Sequence, residues 1–451
     1  MTVHPHISVA NIAEAFDAMH WRELNKVHLN ASDIAPVMEM LAQNENIRVA
    51  DIGESFEGRP IKRYSVGTGD KVILAWTQMH GDEPTATAAV LDWLQILTSA
   101  HALALSGLPA DWMNQVTLYV VPMLNPDGAQ RRTRVNGQGI DINRDAKALQ
   151  SPEGRLLHDQ VSELKPDIAF NLHDQNPYYT AGTSSNPATI AFLAPAYHED
   201  KHVDGPRLRA KQLIAGMADV LGHYIPGCIA RYDDTYSFRS FGDNIAATGA
   251  STILIESGAA KQDPNRQVAR KMNVIALQSA LEAFLNDTVN RYSLADYYRI
   301  PENREDGLCD MKLYNLTMGG DLPYLADISI LIDGKNDTGT VGAIGDLRTI
   351  NGFTNINGQG LKVLPEKGFE VDSPLTLNDE TYLNLLKAGF SYFIDTQNQL
   401  SITTTMPVQV VATAPVATPL LPGAPAYFIV GDSHSNQPSA AVLNGRWHAL
   451  G

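Results

Sequence analysis

His80 and Glu83, in the stretch QMHGDEP, are the first residues whose types and spacing could do chemistry. An imidazole and a carboxylate three positions apart can face one ion, and zinc accepts those donors. Alone the pair is a weak signal, because HxxE arises readily by chance in a chain of 451 residues. Two more residues strengthen it. His173 follows the apolar run at 168–172, and Glu256 follows the run at 252–255. If these runs and the one at 72–77 are neighbouring parallel strands, their ends deliver His, Glu, His and a second Glu to one rim of a sheet. Ligands of α/β sheets commonly bind at that rim. Three protein ligands with one open position describe a catalytic zinc rather than a structural one. A nearby carboxylate that is not a ligand, here Glu256, can take a proton from water and return it to a leaving amine.

The loop NPDGAQRRTRVNGQGIDINRD at 125–145 supplies guanidinium groups at Arg131, Arg132, Arg134 and Arg144, with Asn143 beside the last. Arginine forks bind carboxylates in a bidentate way and stabilise oxyanions. The competing reading is a solvated basic loop or a nucleic-acid patch. A formal net charge of −16 argues against nucleic acid or an anionic membrane as partner, while leaving room for an anionic substrate in a locally basic pocket. A second spelling, His198-Glu199-Asp200-Lys201-His202, matches H-E-x-x-H. That chemistry requires a helix placing both histidines on one face. Charged spacers, Pro195 before and Gly205-Pro206 after make it a polar loop leading into a helix at 207–221.

The positioning elements follow from apolar periodicity. Residues 11–45 read as helical. From about 46, apolar runs at 72–77, 116–123, 168–172 and 252–255 alternate with helical patterns at 85–97, 207–221 and 265–285, and Pro84 suits a first helical position. Continuous apolar strands between helices predict an α/β fold with a mixed, largely parallel sheet covered by helices on both faces. After about 290 the texture becomes β-branched and alternating, punctuated by Gly, Asn and Asp. The segments DISILIDGK, GDLRTINGF and SYFIDTQNQLSITTT predict hairpins, packed as a sandwich or barrel. The expected organisation is therefore a catalytic domain at 1–290, with its helical segment at 1–45, and a smaller β-rich domain at 291–451.

The order of motifs resembles the zinc carboxypeptidase A family. It runs HGDE at 80–83, NPDG at 125–128, RRTR at 131–134, DINRD at 141–145, NLHD at 171–174 and LIESG at 254–258, across roughly residues 50–285. The resemblance implies one Zn²⁺ held by His80, Glu83 and His173, with Glu256 as general base and acid. It implies that Arg131 polarises the scissile carbonyl and that Asn143 and Arg144 grip a terminal carboxylate. The implied function is hydrolysis of the C-terminal peptide bond by a zinc-activated water. Two departures stand out. Asp174-Gln175 replaces the family's Ser-Tyr, and no aromatic follows Asn143-Arg144. For the family's substrate-capping tyrosine the candidates are Tyr236, in DDTYSFRSFGD, and behind it Tyr232. An amidohydrolase of the same fold, acting on cell-wall peptides or N-acyl amino acids, is the alternative. A non-catalytic metal- or peptide-binding protein is the third reading, which the joint presence of Glu256 and Arg131 disfavours.

Hydrophobic residues make up 44% of the chain and charged residues 19%, enough apolar side chains for a full core. Cys228 and Cys309 allow one bridge at most, so no disulfide framework and no thiolate metal cluster is expected. The N-terminus has no basic region followed by an apolar stretch, and no run is long enough to span a bilayer. The expectation is a cytoplasmic enzyme with no membrane partner, or a periplasmic or secreted one if a leader was removed.

Overall fold

The computed structural model describes residues 5–99, 107–320, 322–334, 336–415 and 419–451. The chain divides into two compact units, Met1–Glu305 and Asp306–Gly451. The first unit extends past the boundary expected at 290. Helix Leu294–Arg299 packs against helix Gly205–Leu221, and Asn303–Arg304 pairs with Thr180–Ala181.

The first unit is built on strands β1 (Ile47–Glu54), β2 (Pro60–Gly67), β3 (Lys71–Thr77), β4 (Val116–Val121), β5 (Ile168–Asp174), β6 (Thr180–Ala181), β7 (Ile190–Leu193), β8 (Ile229–Arg231) and β9 (Ser251–Ser257). All but β6 form one sheet, in the order β1-β2-β4-β3-β5-β9-β7-β8. The middle strands β4, β3, β5 and β9 are parallel, whereas β1 and β2 on one side and β7 on the other join antiparallel. The sheet is thus mixed, with a parallel centre.

Strand alternation builds two cores. In β3, Ile73 and Ala75 face one side and Leu74 and Trp76 the other, all fully buried. In β5, Ile168, Phe170 and Leu172 share the first side and Ala169 the second. Helices Thr85–Leu97, Gly205–Leu221 and Gln267–Leu285 cover the first face, and Pro152–Leu164 and Phe241–Ala246 the second. Helix Thr85–Leu97 has the bounds its apolar pattern predicts, with Pro84 one position earlier, as its N-cap residue. The helical segment near the N-terminus is two helices, Pro5–Met19 and Ala31–Ala42. The second starts where the Asn30 side chain accepts from the Ser32 and Asp33 amides and Asp33 answers, a reciprocal cap that fixes a helix start. Gly205-Pro206 opens a helix instead of interrupting one, because Asp204 caps it and proline fits its first turn.

The second unit has its own sheet, ordered Thr338–Gly345, Tyr324–Asp333, Leu308–Met318, Leu361–Val363, Phe428–Asp432, Pro438–Leu443 and Arg446–Ala449, with Asn351–Asn357 also paired to Leu308–Met318. Phe428 and Val430 pack into one core and Ile429 into another, so this sheet too is covered on both faces. DISILIDGK does form the first arm of an antiparallel pair. GDLRTINGF does not, since Asn351–Asn357 lies parallel to its partner. The two strands of SYFIDTQNQLSITTT pair with Gly368–Glu370 and Leu375–Leu377 rather than with each other. Both pairings are parallel, which requires a crossover, and helix Asp379–Lys387 lies between the partners. Cys228 and Cys309 are free thiols. Among the described residues, no helix is long and apolar enough to cross a membrane.

One buried ion pair ties the helix after the HGDE loop to its neighbour. Arg270 on Gln267–Leu285 donates to both carboxylate oxygens of Asp92 on Thr85–Leu97, at 2.7 and 2.8 Å, and neither side chain is exposed. Asp92 also accepts from the Trp21 amide, and Arg270 donates to the Trp21 carbonyl. Asp92→Ala strands the Arg270 charge in the core and should destabilise the protein by roughly 3–5 kcal/mol. Exchanging both partners for apolar residues of similar volume should cost far less. Urea-denaturation midpoints of the two variants test this, and equal losses would show that the charge is not the cause.

Candidate metal centre

The rim is shaped by two loops in direct backbone contact. Gln78, just past β3, has a left-handed backbone (φ 49°) that turns the chain, and its side chain donates to the Leu29 and Gly81 carbonyls. Asn125 donates from its side chain to the Met79 carbonyl and caps the helix Pro126–Arg131 by accepting from Gly128. A Cβ at Gly81 would overlap the backbone of Gly128 and Ala129, so only glycine permits the crossing.

His80 and Glu83 sit on the first of these loops, and His173 lies in β5. The Glu83 carboxylate lies between the two rings, with Oε1 at 2.8 Å from His80 Nδ1 and Oε2 at 2.8 Å from His173 Nδ1. The two Nδ1 atoms are 3.1 Å apart, and ligand atoms of all three residues lie within 4.8 Å of one another. Two imidazoles and a carboxylate converging on one point, all largely buried, fit a zinc ion. The outer nitrogen of His80, Nε2, faces Asp141 Oδ1 at 3.1 Å, the kind of partner that fixes a ligand ring's orientation. Glu256 neighbours His173 across the β5–β9 pair, and its Oε2 is enclosed without a hydrogen-bond partner.

The charges are strongly coupled. Burial disfavours the charged His80 ring, but Glu83 and Asp141 outweigh it and lift the ring to about 9. Burial also opposes ionisation of Glu83, yet the two histidines hold its carboxyl well below the usual range. Burial pulls His173 down and, together with the charge of Glu83, pushes Glu256 far up. Asp174 accepts from the Thr85 hydroxyl at 2.7 Å, and burial raises it to about 6 against the pull of Arg266.

The loop residues part company. Arg131 is exposed, pairs with Glu57 and donates to the Gly137 carbonyl at 3.2 Å. Arg134 instead reaches the ligand group, donating to Glu83 Oε1 at 3.2 Å and Asp141 Oδ2 at 3.0 Å. The left-handed Arg132 (φ 55°) makes the difference, ending the helix after Arg131 and turning the chain back. Asn143 is buried and accepts from the Phe241 amide at 3.0 Å, while the Arg144 guanidinium is exposed beside it, 2.8 Å from the Asn143 carbonyl. Tyr236 lies half-buried in the loop after β8, and the described contacts do not bring it to the ligand group. Tyr232 is closer in effect, since its hydroxyl meets that of Tyr179 at 3.1 Å and the Glu256 charge adds to the burial that raises its pKa. The sequence places Arg134 among the guanidinium groups of this loop and Asp141 within DINRD, but assigns neither a role of its own. The aspartate two positions before Asn143-Arg144, capping the turn Ile142–Arg144, was the available signal.

Residues 34–191 match the family model described as zinc carboxypeptidase. That segment, about a third of the chain, is similar to the zinc carboxypeptidases. The segment contains His80, Glu83, Arg131, Asn143, Arg144 and His173, whereas Tyr236 and Glu256 lie beyond it. The probable carboxypeptidase 2 of Arthroderma benhamiae is 27% identical over 117 residues, 26% of this chain and 20% of that protein. Carboxypeptidase SOL1 of Arabidopsis thaliana is 23% identical over 207 residues, 39% of this chain and 41% of that one. The match therefore spans less than half the length of these curated relatives. A metallo-carboxypeptidase structure from Burkholderia cenocepacia superposes with a TM-score of 0.45 at 20% identity, covering 58% of this chain and 70% of that one. Carboxypeptidase A from Helicoverpa armigera gives 0.45 at 16% identity, covering 60% and 80%.

Ligand nitrogens must be free of protons to bind metal. His80 holds its proton up to about pH 9 without metal, so zinc uptake at neutral pH should release about one proton, and affinity should climb about tenfold per pH unit below that point. Calorimetry in buffers of differing ionisation enthalpy measures the released proton. His80→Ala and His173→Ala should each lower tightly bound zinc well below one equivalent with the fold retained. Full zinc content in both would remove these residues from the site.

Proposed function

We propose that the chain is a zinc-dependent carboxypeptidase that hydrolyses the C-terminal peptide bond of peptides with a free carboxylate, with Glu256 as its proton shuttle. The observation that carries this reading is Glu256 itself, a carboxyl with one enclosed, unpartnered oxygen, beside the His80–Glu83–His173 group in strand register. Zinc held by those three residues would supply a Lewis acid that polarises a carbonyl and acidifies water. Glu256 would take the proton of the attacking water and pass it to the departing amine. Its environment suits both directions: burial and Glu83 favour the protonated form, and a cation nearby would favour the ionised one.

The exposed Arg144 guanidinium would bind the substrate's terminal carboxylate, with Asn143 orienting the chain around it. Arg131 would serve the developing oxyanion after leaving Glu57, an exposed pair whose loss costs about 0–1 kcal/mol. Tyr236 remains the proposed cap over bound substrate, with Tyr232 as the second choice because of its electrostatic link to Glu256.

Glu256→Gln should keep zinc and lose roughly 10²–10⁴-fold in kcat. A charge-assisted hydrogen bond is worth roughly 1.5–3 kcal/mol, so amidating the substrate's C-terminus should lower kcat/KM by about one to two orders of magnitude. In Arg144→Ala the acid and the amide should become similarly poor substrates, while Arg131→Ala should lower kcat on both. Equal cleavage of free and amidated peptides by the unsubstituted enzyme would overturn the exopeptidase reading.

A further inference from the structure

We propose that His198, Asp200 and His202 form a second, solvent-exposed site for a divalent first-row transition metal. The H-E-x-x-H spelling is not helical here. Residues 197–204 form a turn and loop between β7 and helix Gly205–Leu221. That turn brings the histidines together in another way. Their rings stack 5.5 Å apart and are parallel to within 3°. Asp200 reaches both, with Oδ2 at 3.3 Å from His198 Nδ1 and 3.7 Å from His202 Nε2. One ligand atom from each of the three lies within 4.8 Å of the others.

The turn is fastened to the fold rather than loose. Arg207, buried in the following helix, donates to the Lys201 carbonyl at 2.6 Å and the His202 carbonyl at 3.0 Å. Lys201 takes a left-handed backbone (φ 53°), and its ammonium pairs with Asp234 at 3.1 Å and Asp233 at 3.7 Å. The Asp200 amide donates to His198 Nδ1 at 3.1 Å, closing the turn. Backbone and spacer side chain are thereby anchored, while His198, Asp200 and His202 project outward.

Two imidazoles and one carboxylate suit zinc, nickel or copper, with water completing the shell. The site is exposed and has three ligands, so it binds more weakly than the buried group. It does not depend on the proposed peptidase chemistry. Losing even an outer partner of a metal ligand costs roughly 10- to 100-fold in affinity, so losing a direct ligand here should cost at least about tenfold.

Equilibrium dialysis of the full chain against zinc alone separates the two sites. Unsubstituted protein should take up a second, weaker equivalent. His198→Ala/His202→Ala should lose only that one, and His80→Ala/His173→Ala should retain it. Asp200→Asn should weaken it by at least about tenfold. Copper(II) added to His80→Ala/His173→Ala should show electron paramagnetic resonance coupling to two nitrogens. Identical zinc uptake by the unsubstituted protein and His198→Ala/His202→Ala at every free-zinc level, or a copper spectrum without nitrogen coupling, overturns the proposal. Because the two pairs of substitutions are independent, failure at one site is distinguishable from failure at the other.

Discussion

The rim of the first unit is organised around one buried carboxylate, Glu83, whose oxygens each lie 2.8 Å from an imidazole nitrogen. Burial alone would protonate it, and the two histidines reverse that outcome. Its charge then propagates outward. It steadies the proton on His80, draws in Arg134, and adds to the burial that keeps Glu256 protonated. Two neighbouring carboxyls are thus driven in opposite directions by their surroundings, Glu83 toward the charged form and Glu256 toward the protonated one.

That separation requires the parallel centre of the sheet. His173 and Glu256 are adjacent because β5 and β9 run in register from Ile168 with Ser251 to Asp174 with Ser257. β3 lies on the other flank of β5, so the loop bearing His80 and Glu83 emerges beside the same strand end. A one-residue slip of β9 would turn Glu256 to the opposite face. The apolar residues Ile253 and Ile255, fully buried against the helices, hold that register in place.

How much of this was legible in the sequence follows from the range of each interaction. The convergence of His80, Glu83, His173 and Glu256 on one rim could be read because each follows a short apolar run, a local pattern. The two-faced cover of the sheet could be read for the same reason. The division of labour between Arg131 and Arg134 could not, because it hangs on a left-handed backbone at Arg132, a residue type that seldom announces one. Asp141 faces His80 across 61 positions, so its local pattern marks a cap on the turn Ile142–Arg144 and not a partner for that ring. The second unit was misread where three-residue strands pair in parallel across a helix. Runs that short carry too little periodicity to distinguish them from hairpin arms.

The crossing of Gly81 over Gly128 bears on how such a rim can change over time. Two loops in backbone contact behave as one mechanical part, since neither can shift or lengthen without displacing the other. The ligand loop and the arginine-bearing loop must therefore be inherited, or transplanted, together. Variation at the rim is left to walls outside that joint, such as the segment after β8 with Tyr232 and Tyr236.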